Sequence, residues 1–314
     1  MLNKNFIKMK KLFINITLLI ALGFFFYGCD TPAPTELIID NNTTTEDQVD
    51  VEVITKDTQD EFYSNGFDST GVAQRLHNFG SVVVVTGTKI SDRKSTIKSS
   101  LAEAVFFDRN KPVMNMHGHV VGFHTVMPGV VKFNGKKAKV RPLKIKFKNG
   151  NVKVDTTLGS MYVVFSGRLN SMDPFGYNFR SNVNFQLNST MGPARSFNIP
   201  TPEEITGEVT FNGHKADKNL RAVLKWNKSN KQKIEVVLGA VLKGSNISFP
   251  LYRLTTRDDG KLIVPSQLLN TIPFERFDKI IFSFVRRLEF DNGSGSNRLK
   301  VLSQSIHSII IDIP

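Results

Sequence analysis

The feature that most constrains this chain is an alternation of apolar and polar residues with period two. It is clearest in "PLKIKFKNGNVKVD" (142–155). In an extended chain successive side chains point to opposite faces, so Leu143, Ile145, Phe147, Val152 and Val154 share one face while the lysines share the other. Asn149-Gly150 is a hairpin signal, because both central positions of a type I′ turn need positive φ. Closing the hairpin there pairs Lys146 with Lys153 and Phe147 with Val152. Similar runs recur throughout: "SVVVVTG" (81–87), "AEAVFFD" (102–108), "GSMYVVFSG" (159–167), "NVNFQL" (182–187), "RAVLKW" (221–226), "KIEVVLGAVL" (233–242), "KIIFSFVRR" (279–287) and "SIIIDI" (308–313). Gly, Asn, Asp and Pro clusters separate them at short spacing, which predicts an all-β sandwich or barrel. The one helical pattern is "VPSQLLNTI" (264–272), where Ser266 is expected to cap one or two turns.

The expected organisation has four parts: a leader (1–28), a tether (29–69) and two antiparallel β-sandwich domains (70–200 and 201–314), divided at Pro200 and Pro202. "GVVKFNGKKA" (129–138) and "GEVTFNGHKA" (207–216) share a pattern at an offset of 78 residues. This reads either as a duplicated sandwich half or as one hairpin signal used twice. The second half, with its early "LKW" and its "DDGKLIVP", resembles an immunoglobulin-type sandwich in architecture. It lacks the paired cysteines of true immunoglobulin domains, and such an architecture implies no function.

The N-terminus sets the compartment. Lys4, Lys8, Lys10 and Lys11 precede an apolar run from Leu12 to Tyr27, the n-region and h-region of a secretory signal. Its 16 residues fall short of the ~20 needed to span a bilayer as a helix. The chain's single cysteine, Cys29, follows at once. One cysteine makes neither an internal disulfide nor a thiolate zinc cluster. Phe26-Tyr27-Gly28-Cys29 resembles a bacterial lipobox, in which a small residue precedes the cysteine that ends the leader. That resemblance implies a diacylglyceryl thioether on Cys29, cleavage before it, and an extracytoplasmic protein held on a membrane by its acyl chains.

Charge is segregated along the chain. Residues 30–61 hold ten acids and one lysine, whereas the whole chain carries +13. Like charge and low apolar content predict a self-repelling, unstructured tether, and leave a strongly basic body. The acidic run after the cysteine resembles export signals of surface lipoproteins in some Gram-negative bacteria. A basic body suggests an anionic partner such as an envelope glycan or lipid, or an envelope protein; nothing in the sequence points to nucleic acid.

Two stretches are candidates for binding. Lys144, Lys146, Lys148 and Lys153 project from one face of the 142–155 hairpin. Like charges opposed across a strand pair destabilise it unless an anion neutralises them. The alternative is a charged edge that discourages aggregation. Arg286 and Arg287 with Arg298 and Lys300 form a second expected basic patch around "DNGSGS". "VMNMHGHVVGFHTVM" (113–127) holds three of six histidines and three of eight methionines. Imidazole and thioether suit copper, and in an unbroken strand His117 and His119 share a face. The alternative is a strand with methionines in the core and exposed histidines. Enzyme templates are absent: there is no Gly-x-Ser-x-Gly elbow, no His-Glu-x-x-His helix and no phosphate-cradling glycine loop. The sequence therefore predicts a non-enzymatic, lipid-anchored binding protein. A copper-binding protein and a glycan hydrolase with an unrecognised site are its rivals.

Overall fold

A computed structural model describes residues 49–54, 62–63, 81–118, 120–149, 152–167, 175–229, 233–245, 248–295 and 298–314. The signal segment, Cys29 and most of the expected tether lie outside them. The elements run β1 (Asp50–Val53), β2 (Phe62–Tyr63), β3 (Ser81–Ser91), β4 (Thr96–Met114), β5 (Val120–Thr125), β6 (Gly129–Phe133), β7 (Lys136–Lys137), β8 (Lys139–Asn149) and β9 (Val152–Gly167). They continue with β10 (Asn182–Ser189), β11 (Arg195–Pro200), β12 (Gly207–Asn212), β13 (Arg221–Trp226), β14 (Lys233–Leu242), β15 (Ser248–Arg257), β16 (Lys261–Val264), α1 (Ser266–Asn270), β17 (Phe277–Asn292) and β18 (Leu299–Asp312). The fold is all-β. No helix among the described residues is long and apolar enough to cross a membrane.

One large sheet has the order β1-β15-β14-β17-β18-β3-β4-β9-β8-β2, with β5 added on β4. Two small sheets, β11-β10-β6-β7 and β12-β13-β16, complete the sandwich-like arrangement. The large sheet draws strands from both sides of residue 200. Its middle is the parallel pairing of β18 with β3, in which Val301 faces Val83 and His307 faces Lys89.

The alternation places the core. Val83, Val85, Ala102, Ala104 and Val301 pack beneath Phe133, Phe185 and Ile199 of the four-stranded sheet. Val236, Ile280, Phe282 and Phe284 pack beneath Ala222, Leu224 and Val264 of the three-stranded sheet and Leu269 of α1. Phe284 pairs with His307, which shares parity with Val301, so both small sheets cover the same face of the large one. The opposite face is apolar in its centre too: Val237, Val285 and Ile306 are buried there.

Four sequence expectations change. The 142–155 hairpin forms, but it pairs Phe147 with Val154, Lys146 with Asp155 and Lys148 with Lys153. The slip is one full two-residue period, which leaves the alternation intact, so the hydrophobic pattern cannot distinguish the two registers. A bulge between Leu143 and Lys144 accompanies it. Ser266 does not cap α1. Pro265 occupies the cap position in extended conformation, and no side-chain cap forms.

The acidic segment is not bare chain throughout. Asp50–Val53 adds to β15 as an edge strand, Val51 packs on the core, and Arg253 Nη1 donates to Glu52 Oε2 at 2.6 Å. The two Phe-Asn-Gly stretches also diverge. Asn134 and Gly135 have φ of 48° and 78°, the double positive φ of a tight I′ turn between β6 and β7. Asn212 instead ends β12, and residues 213–220 intervene before β13 begins at Arg221.

Candidate functional site

The lysine hairpin belongs to a longer cationic stretch that runs from β6 through β8. β7 is the edge of the four-stranded sheet, and the chain passes through Ala138 into β8, second from the edge of the large sheet. Ala138 is buried and its N–H donates to Val131 O at 2.9 Å, which pins the crossing. Lys137, Lys139, Arg141 and Lys144 are exposed and Lys132 and Lys136 half-buried. Lys139 and Arg141 share parity with buried Leu143, so they stand on the opposite side of β8 from Lys144. Lys132 stands directly across from Lys137 in the β6–β7 ladder. No ion pair joins Lys132, Lys137, Lys139, Arg141 or Lys144 to an acid among the described residues.

Lys148 opposes Lys153, whereas Lys146 opposes an aspartate and so loses the like-charge pairing expected of it. Sequence reasoning missed Lys132, Lys136, Lys137, Lys139 and Arg141. Their signal was present in "KFNGKKAKVR", which holds five cations in ten residues.

The second expected basic patch does not exist. Arg286 and Asp258 are 3% and 0% exposed and form a two-pronged pair, Nε to Oδ2 at 2.8 Å and Nη2 to Oδ1 at 2.9 Å. Arg286 Nη2 also donates to Asn227 O at 2.6 Å, and Trp226 Nε1 donates to Asp258 Oδ1 at 2.8 Å. Arg287 pairs with Glu235 at 2.9 Å, and burial pulls its guanidinium below the usual range despite that partner. Arg298 pairs with Asp291 and Lys300 with Glu289. The adjacent arginines alternate across β17, so they cannot share a face, and both are drawn inward.

The His/Met stretch is not an unbroken strand. Met114 ends β4, Asn115–Gly118 form a turn closed by Gly118 N–H to Asn115 O at 3.0 Å, and β5 starts at Val120. His117 is exposed at this turn, and His119 lies outside the described residues. Of the three expected core methionines, Met114 and Met116 are on the surface at 55% and 65% exposure, whereas Met127 packs partly buried against the core. His124 is on β5 with Nδ1 3.3 Å from Leu158 O. Among the described residues no group of three His, Cys, Asp or Glu side chains could hold a metal ion.

A buried polar row lies between the two core clusters. Ser303, Ser305 and His307 of β18 face the small sheets, where the alternation calls for apolar residues. Each meets a segment crossing over the sheet. Tyr177 Oη lies 3.3 Å from Ser303 Oγ and donates to Gln304 O at 2.8 Å. Ile205 N–H donates to Ser305 Oγ at 2.9 Å, and Gly207 N–H to His307 Nδ1 at 2.8 Å. His307 Nδ1 is therefore an acceptor. Its Nε2 carries the proton and donates to Ser91 Oγ at 3.0 Å.

Burial, with Lys89 alongside, lowers the His307 pKa to about 4. Two glycines permit the close approach. A Cβ on Gly87 would lie 2.4 Å from the Tyr177 ring, and one on Gly207 2.4 Å from Phe284. Gly207→Ala is expected to destabilise by about 1–3 kcal/mol through overpacking, read from the urea midpoint. No protein-family model matches this chain, and no curated protein matches it in sequence.

Proposed function

We propose that this all-β chain is a lipid-anchored, non-enzymatic protein of the bacterial cell envelope that holds an anionic envelope polymer against the β6–β7–β8 face. The sandwich-like arrangement of one large sheet and two small ones serves as the scaffold. Cys29 would carry the lipid and place the body outside the cytoplasm. The observation that supports the reading most is the direct opposition of Lys132 and Lys137 across the β6–β7 ladder, with exposed Lys144 further along the chain on β8. Cations on this body commonly sit beside acids, as Arg93 does with Asp312 and Arg180 with Glu203. On this face the carboxylates of a uronate chain would supply the missing counter-charge, and strands about 4.8 Å apart present cations at intervals a repeating polymer can follow.

The test is binding of the detergent-solubilised full chain to polygalacturonate at several salt concentrations, with neutral dextran as control. Lys132→Gln/Lys137→Gln/Lys144→Gln is expected to weaken binding by about tenfold at low salt and to flatten its salt dependence, since exposed charges are screened over ~10 Å at 0.1 M. Equal binding by both proteins would reject this face as the site.

A further inference from the structure

The β4–β5 hairpin carries chemistry that the basic face does not use. β4 runs in the large sheet as far as Phe106, its last residue paired with β3; from Phe107 onward its pairings are with β5. The base of this extension is fixed. Val113 and Phe123 pack against Phe107, Leu143 and Leu158, and Ser160 N–H donates to Thr125 Oγ1 at 2.6 Å. The tip is different. Met114, Met116 and Val120 are 55%, 65% and 44% exposed, three of the seven large exposed hydrophobics among the described residues, gathered within seven positions. Single exposed apolar side chains are ordinary, but a cluster on a projecting turn marks a contact surface.

The charge around the tip indicates which contact. Arg109 and Lys111 are exposed on the β4 arm just behind it, and residues 109–124 contain no acid. The one acid close by, Asp108, sits on the sheet side of this collar, 3.5 Å from Lys111 Nζ. An apolar tip with a cationic collar on a fixed base is the chemistry of insertion into the headgroup layer of an anionic bilayer, where thioether and isopropyl groups leave water while the cations meet phosphate.

We propose that Met114, Met116 and Val120, at the end of the β4–β5 hairpin, dip into an anionic lipid surface and give the body a membrane contact of its own. The inference shares the envelope setting of the proposed function but not its polysaccharide ligand. An affinity too weak to hold a free protein would suffice here, because an anchored chain meets the surface at high effective concentration.

The test uses the full chain with Cys29→Ser and one new cysteine bearing an environment-sensitive dye, at Met116→Cys or, as control, at Met191→Cys, whose native side chain is 72% exposed elsewhere. Because residues 12–27 bring every version to vesicles, the readout is local. On phosphatidylglycerol vesicles the dye at 116 should shift to the blue and lose quenching by aqueous iodide, while the dye at 191 should not. Neutral phosphatidylcholine vesicles, or Arg109→Glu/Lys111→Glu, should abolish the shift. Equal behaviour of the two dyes, or a shift indifferent to lipid charge, would overturn the proposal. So would photocrosslinking from position 116 to a second copy of the chain in place of lipid.

Discussion

Arg286→Ala is expected to cost about 3–5 kcal/mol of folding stability, more than any other single substitution proposed for this chain. The reason is what it leaves behind. Asp258 is fully buried and takes two hydrogen bonds from Arg286 and one from Trp226. Without the guanidinium its carboxylate would be an uncompensated charge in a dry interior, and Asn227 O would lose its donor as well. Arg286→Lys should rescue little, because a point ammonium cannot reproduce the planar two-pronged contact. The double change Asp258→Asn/Arg286→Met should cost less than Arg286→Ala alone, since no ion remains. Trp226, the only tryptophan, touches the cluster, so its fluorescence during urea unfolding reports these differences directly. A double variant as unstable as the sum of its parts would mean that the pair is not the coupled unit described.

Acid should loosen the seam along β18. In the folded protein His307 is neutral, with its pKa lowered to about 4, against 6.5 for an ordinary histidine. Between those values the unfolded chain binds a proton that the native state refuses, so stability falls as pH falls. The contribution is complete above about pH 6.5 and gone by about pH 4, with a ceiling on the order of 3 kcal/mol. Protonation would turn Nδ1 into a donor facing the Gly207 N–H, so the contact that docks β12 onto β18 would become a repulsion. His307→Asn should remove most of this pH dependence, at the cost of lower stability at pH 7. The comparison to make is the slope of the urea midpoint between pH 7 and pH 4.5 in the two proteins. Parallel slopes would place the acid sensitivity elsewhere.

Much of the architecture is legible because burial on a sheet imposes period two. Runs such as "SVVVVTG" and "RAVLKW" are strands, and their apolar positions are in the core. Legibility fails where polar residues are buried for structural reasons. The strand ending in "SIIIDI" begins at Leu299, nine residues before the apolar run, because Ser303, Ser305 and His307 meet crossing backbone instead of an apolar layer. Arg286 reads as surface because its partner lies 28 residues away, and no local pattern announces such a pair. In "VDVEV" the alternation is present, but acidic composition outweighs it. The His/Met turn escapes a strand reading because Asn115 and Gly118, both turn-formers, interrupt an otherwise apolar stretch. Half of the candidate basic face is visible in the lysine hairpin. The cations of the other half stand in "KFNGKKAKVR", but only the β6–β7 ladder brings Lys132 opposite Lys137.

The sulfur of Cys29 carries the most weight, since an envelope polymer and a lipid surface matter only to a protein that leaves the cytoplasm. Growing the producing bacterium with labelled palmitate and recovering the chain tests this most directly. Label should appear in the native chain and not in Cys29→Ser. A native chain that takes up no palmitate would contradict the lipid anchor and everything placed outside the cytoplasm by it.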